Sequence, residues 1–126
     1  GKMSKSELLS KAPGKDNLNY EQAELHMFEL QKDLNLKDKP LIVIGDFNSA
    51  KNIFNLIDMP TYLLFASLLK DMGDNLTTYP SRTAIALGTK YPELTIDHVF
   101  TNMTEGETAT LPLKGSDHYP LLFSFK

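Results

Sequence analysis

At 126 residues the chain is of single-domain size and long enough to bury a real core. Its 41% hydrophobic and 23% charged content excludes a disordered or fibrous protein, and its longest apolar run, Tyr62 to Leu69, is too short to span a membrane. The absence of cysteine excludes disulfides and thiolate metal sites. A net charge of −3 gives no bulk attraction for a polyanion, so a nucleic-acid substrate requires local compensation by a divalent ion.

Residues 1–19 are rich in Lys, Ser, Asn and Gly without a period, and read as a polar loop or arm. Gly1-Lys2-Met3-Ser4-Lys5 leads into polar sequence with no apolar signal-peptide core, so the compartment stays unknown: cytoplasmic and secreted both fit. Asn19 is placed to cap a helix beginning near Tyr20, in which Ala23, Met27, Leu30 and Leu34 recur at helical spacing; it should end near Asn35. Leu41-Ile42-Val43-Ile44, bounded by Pro40 and Gly45, predicts a strand buried on both faces.

Ser49 or Asn52 can cap a short helix through Leu56. A further helix is expected from Pro60 to Lys70, with Gly73 as its stop. Strands are expected at Leu76 to Tyr79, Leu94 to Thr101, Thr108 to Leu113 and Leu121 to Phe125. This order, over residues 20–126, predicts an α/β (α+β) layered fold with at least one sheet.

Chemistry-bearing residues gather at strand ends. Asp46 and Asn48 leave the buried strand one residue apart, so an extended backbone would aim both to one side and Phe47 into the core. A carboxylate beside a carboxamide suits a phosphate site, the first binding metal or taking a proton from water, the second donating to a phosphoryl oxygen. Asp97, between Ile96 and the apolar end of its strand, must be paired or hydrogen-bonded if buried. Asp117-His118 follows Gly115-Ser116 and can divide metal ligation from proton transfer. Taken singly, Gly45-Asp46-Phe47-Asn48 suits a turn or helix cap, Ser116-Asp117-His118 a solvated loop, and Asp97 an exposed strand end. Each abuts an apolar strand, and no other part of the chain concentrates acids and His in this way, so the set reads as functional.

At Gly45-Asp46-Phe47-Asn48, Ile96-Asp97-His98-Val99-Phe100 and Gly115-Ser116-Asp117-His118-Tyr119-Pro120 the chain resembles the endonuclease/exonuclease/phosphatase superfamily, the deoxyribonuclease I-like fold. Thr78-Tyr79-Pro80-Ser81 resembles the short segment before the second motif in many bacterial members. The resemblance implies half of a four-layer α/β sandwich, one mixed or antiparallel sheet with helices on its outer face. It implies a divalent-metal-dependent phosphoester (phosphodiester) hydrolase using Mg²⁺ or Mn²⁺, with in-line attack by water. Asp46 would activate the water and contribute to the metal site, and Asn48 would hold a phosphoryl oxygen. Asp97 would bond and orient His118, His118 would donate to the phosphate, and Asp117 would bind the metal. His98 and Arg82 match no site position, and packing and solvation are their expected roles.

The resemblance also implies an N-terminal half with a metal-binding Glu, which Glu7, Glu21, Glu24 and Glu29 do not match, because none follows an apolar strand. On that basis the chain is expected to be inactive alone and to pair with that half, or with a second copy, through an exposed sheet face. Expected substrates are phospholipid, nucleic acid or a small phosphodiester. Thr95-Ile96-Asp97-His98 departs from the Trp-Cys-Asp-Arg of the inositol-phosphate 5-phosphatase branch and fits sphingomyelinase-like and generic bacterial members better. A catalytically silent scaffold or protein-interaction domain of the same fold is the alternative.

Overall fold

A computed structural model describes residues 20–32, 39–51, 58–73, 76–112 and 115–125. The expected arm over residues 1–19, the cap at Asn19, the end of the first helix near Asn35 and the short helix through Leu56 lie outside these residues. Helix α1 covers residues 20–32. It is followed by β1 (Ile42–Asp46), α2 (Pro60–Leu68), β2 (Lys70–Asp71), α3 (Arg82–Ala86), β3 (Asp97–Thr101), β4 (Glu107–Thr110) and β5 (Leu121–Ser124). Helices with antiparallel sheets make this an α+β fold. No helix among the described residues is long and apolar enough to cross a membrane.

The strands divide into a three-stranded sheet of order β1-β3-β2 and a separate β4-β5 pair. The reason is one of edges. Strand β3 already has antiparallel partners on both sides, so β5 packs against it without joining its ladder. The β4-β5 register sets Glu107 opposite Ser124, and Gly106 just before it is required: a Cβ there would lie 2.5 Å from the Phe123 ring.

Helical spacing explains what α1 and α2 bury. Ala23 and Met27 of α1, and Tyr62 and Phe65 of α2 with Leu69 just beyond it, join Phe100 of β3 in one buried cluster. Leu41 just before β1 and Val43 within it, two residues apart, pack on the same cluster. Burying one Phe or Met side chain in such a core contributes about 1.5–3 kcal/mol. A smaller cluster of Ala50, Met59 and Ile96, with Tyr79, Tyr91 and Leu94 against it, lies among the loops that carry the polar motifs.

Several expected boundaries shift, each for a tertiary reason. Helix α2 ends at Leu68, because Leu69 turns extended (φ −132°, ψ 159°) and leads straight into β2, which pairs with β3; Gly73 is not what stops it. Leu76 to Tyr79 forms no strand, only the bridge Tyr79↔Leu94, since the segment's hydrogen bonds go to one residue of the opposite chain and then to the Ser116 loop. Strand β1 begins at Ile42 and runs to Asp46, and it is covered on one face only: Ile44 is 50% exposed, because β1 is an edge strand with helices on just one side.

Helix α3 has no counterpart in the expected elements, as five residues are too few for a period. Ser81 caps it, its Oγ accepting from the Ala84 amide at 3.3 Å and donating to the Ser116 carbonyl. Ser81→Ala removes both bonds. The expected loss is about 1–2 kcal/mol in urea denaturation, the range of an N-cap deletion.

Candidate active site

The site begins with strand register. Antiparallel pairing of β1 with β3 sets Asp46 directly opposite Asp97. Both lie on the face away from the helices, since Val43, His98 and Phe100 take the other face. Two like charges at opposed positions repel, so this pairing is unfavourable unless something cationic stands between them. His118 stands there. Its Nδ1–H donates to Asp97 Oδ2 at 2.7 Å, and its Nε2 lies 3.7 Å from Asp46 Oδ2 and 4.0 Å from Asp117 Oδ1. Ligand atoms of Asp46, Asp97 and His118 fall within 4.8 Å of one another.

The loop bearing His118 is held by the segment before β3. The Ser81 amide donates to the Asp117 carbonyl at 2.8 Å, the Tyr119 amide to the Thr78 carbonyl at 2.8 Å, and the Gly115 amide to Thr83 Oγ1 at 3.2 Å. The Tyr79 ring packs on the imidazole with centroids 5.0 Å apart. Thr78, fully buried, accepts the amides of Ile96 and Asp97 on one hydroxyl. Thr78, Tyr79 and Ser81 are thus the scaffold of the site, though at the level of sequence they register only as a family-like segment. Ile44, Asp97, Ser116, His118, Tyr119 and Leu121 line an open cleft of about 330 Å³.

At the end of β1 the geometry differs from the expected alternation. Asn48 has φ +48°, in the left-handed region that Asn tolerates, and its amide donates to Asp46 Oδ1 at 2.9 Å. The chain has therefore left the strand, and a tight Asx turn places Asn48 beside Asp46. Phe47 does enter the core, edge-on to Phe65 at 4.9 Å and to Phe100 at 5.3 Å. Asp117 is the most open of the acids, its side chain 61% exposed. Arg82 is exposed at the start of α3. His98 is wholly buried and donates from Nε2 to the Ser49 carbonyl at 2.6 Å.

Burial raises the Asp97 carboxyl above its ordinary range, opposed by hydrogen bonds from His118 and Thr78 and by the imidazole's charge. Burial alone would lower His118, but the Asp97 hydrogen bond and the charges of Asp97, Asp46 and Asp117 together outweigh it and raise the imidazole. Both partners shift upward, which a simple ion pair would not do; the Asp97 rise comes from desolvation and the His118 rise from surrounding negative charge. Burial lowers His98, which stays neutral. For His118, a folded pKa above the unfolded value of about 6.5 adds stability that is complete below that value and lost as pH rises through the folded pKa. In metal-free buffer, the thermal stability of the protein relative to His118→Asn is expected to fall as pH rises from about 6.5 through the raised folded pKa. A difference that stays flat across this window contradicts the ion pair.

The donor set fits a hard divalent ion. Asp46 and Asp117 offer exposed carboxylates 3.7 and 4.0 Å from His118 Nε2, whereas Asp97 is committed to His118. Across residues 6–118 the chain matches the family model described as "Endonuclease/Exonuclease/phosphatase family". No curated protein and no solved structure matches it. Members of the matched family are in general hydrolytic enzymes that act on phosphoesters with a divalent metal. With nine-tenths of its length covered by that match, the chain belongs to the endonuclease/exonuclease/phosphatase family.

Proposed function

We propose that the chain carries the hydrolytic centre of a Mg²⁺- or Mn²⁺-dependent phosphodiesterase. The observation that supports this most is the placement of His118 between two opposed carboxylates, with an Asx turn presenting Asn48 alongside. Asp97 orients the imidazole by taking its Nδ1 proton in a hydrogen bond, which leaves Nε2 facing the cleft. His118, its charged form favoured by the surrounding carboxylates, donates from Nε2 to a phosphoryl oxygen and stabilises the charge that builds there. Asp46 takes a proton from the attacking water. The Asn48 amide holds a second phosphoryl oxygen. Asp46 and Asp117 hold the ion, which when bound polarises the phosphate and offsets its charge.

The metal-binding Glu of the family belongs to an N-terminal half that no segment here matches. In this reading the exposed apolar side chains of Ile44 and Leu122, each 50% exposed, take that half or a second copy, and the chain alone is inactive. The test is an assay of protein with a complete site, the Glu-bearing half included, on DNA, phospholipid and small phosphodiester substrates. Hydrolysis of at least one class, abolished by EDTA and restored by Mg²⁺ or Mn²⁺, is expected. No hydrolysis of any class would instead mark a silent scaffold.

A further inference from the structure

Of the buried side chains on β3, His98 is the one whose polarity packing does not explain. It is wholly buried on the helix face, among the rings of Tyr62 (4.9 Å), Phe47 and Phe100 (each 5.5 Å). An apolar side chain would fill such a pocket without desolvating two ring nitrogens. Nδ1 has no hydrogen-bond partner, so one nitrogen carries that cost uncompensated. The other nitrogen makes a single bond, at 2.6 Å, to the carbonyl of Ser49. A carbonyl only accepts, so the ring proton is on Nε2.

Ser49 is what gives this bond consequence. It follows Asn48 directly and is itself fully buried. Its Oγ accepts the Tyr62 amide at 3.0 Å, one of the open amides in the first turn of α2, which the side chain of Met59 at the N-cap does not cap. The Tyr62 hydroxyl in turn donates to Asp71 Oδ2 at 2.6 Å, in β2. Ser49 is therefore clamped from both sides, its carbonyl by β3 and its hydroxyl by α2. The Asx turn immediately before it, with the left-handed Asn48 amide on Asp46 Oδ1, ends at this clamp. The Ala50 amide of the same peptide donates only to Met59 Sδ at 3.2 Å, a weak acceptor, so cutting the carbonyl's bond leaves the 49–50 peptide, and the turn before it, less firmly held.

We propose that His98 is a positioning residue for hydrolysis: by anchoring the Ser49 carbonyl it fixes the turn that holds Asp46 beside His118 with Asn48 next to it. This rests on the hydrolytic reading of the cleft, and it assigns His98 no contact with substrate.

The test compares His98→Leu, which fills the pocket without a donor, with His98→Gln, whose side-chain amide can reach the same carbonyl. Both are assayed in enzyme with a complete site, beside thermal unfolding. In His98→Leu, kcat is expected to fall at least about tenfold with KM within about twofold, the signature of a displaced rather than a missing group. His98→Gln is expected to restore kcat to within about threefold of the original. Amide spectra should show the Asn48 resonance shifted in His98→Leu and returned in His98→Gln. Unchanged kcat in His98→Leu, or an equal fall in both variants, overturns the proposal. Should His98→Leu fail to fold, the ring ¹⁵N spectrum of the original protein decides: Nε2–H with a bare Nδ1 supports the clamp, and a proton on Nδ1 alone overturns it. Undiminished turnover in Asp46→Asn would instead sink the hydrolytic reading, while the Asn48 resonance still tests the clamp.

Discussion

Replacing Asp46 with Asn should lower phosphodiester turnover by about 10³-fold in enzyme with a complete site, with the fold intact. The substitution keeps the shape of the side chain and its acceptor for the Asn48 amide, so the Asx turn survives. What goes is the charge, and with it two functions. The neutral amide cannot take a proton from water, and it is a poorer ligand for a hard divalent ion. A third effect follows from geometry. Asp46 Oδ2 lies 3.7 Å from His118 Nε2 and is one of the charges raising that imidazole. In Asp46→Asn the His118 pKa should therefore fall towards its ordinary value, measurable by NMR titration of the ring. Turnover within about tenfold of the original would remove Asp46 from the proton-transfer role.

The largest effect on stability is expected at Phe100. It is completely buried, stacked on Phe65 at 5.4 Å and met edge-on by Phe47 at 5.3 Å, and it faces Val43 across the β1-β3 ladder. The buried cluster it belongs to also takes in Ala23 and Met27 of α1 and Tyr62 and Phe65 of α2. Phe100→Ala deletes the ring from a site that rigid neighbours cannot close over, so the loss should be about 3–5 kcal/mol in equilibrium denaturation. That is a large share of the stability of a domain this size, typically about 5–15 kcal/mol. Because Phe47 adjoins Asp46, the cavity should also loosen the β1 terminus. A loss under about 1.5 kcal/mol would mean that the two helices do not share a single core with the sheet.

What could be read from the sequence was what local pattern controls. The spacing of Ala23 and Met27, the Pro60 start of α2 and the branched run at Ile42 each follow from side-chain period or backbone restriction, and each is realised. Strand β2 and helix α3 are too short to leave a period, and both exist because of distant partners: β3 for the one, the Ser116 loop for the other. A branched run looks the same whether one face or two is packed, so the pattern of β1 alone does not reveal the exposed Ile44.

The polar residues of the site were legible as types and in order, but their convergence was not. Asp46 meets Asp97 through a strand register, and His118 reaches both through a loop anchored by Ser81 and Thr78. Neither leaves a local trace. The Asn48 turn shows the limit from the other side: alternation along extended backbone was a sound rule applied one residue past the strand's end. The resemblance to a family carried the order of the motifs, and geometry supplied the register that joins them.

The most direct test of a single site built from these three segments needs no substrate. Mn²⁺ added up to millimolar concentration to ¹⁵N-labelled protein broadens amide resonances near wherever it binds. Broadening centred on Asp46, Asn48, Asp117 and His118, and lost in Asp46→Asn, is the expected result. Broadening centred instead on the acids of α1, or spread evenly over the surface, would contradict a metal and phosphate site at the end of β1.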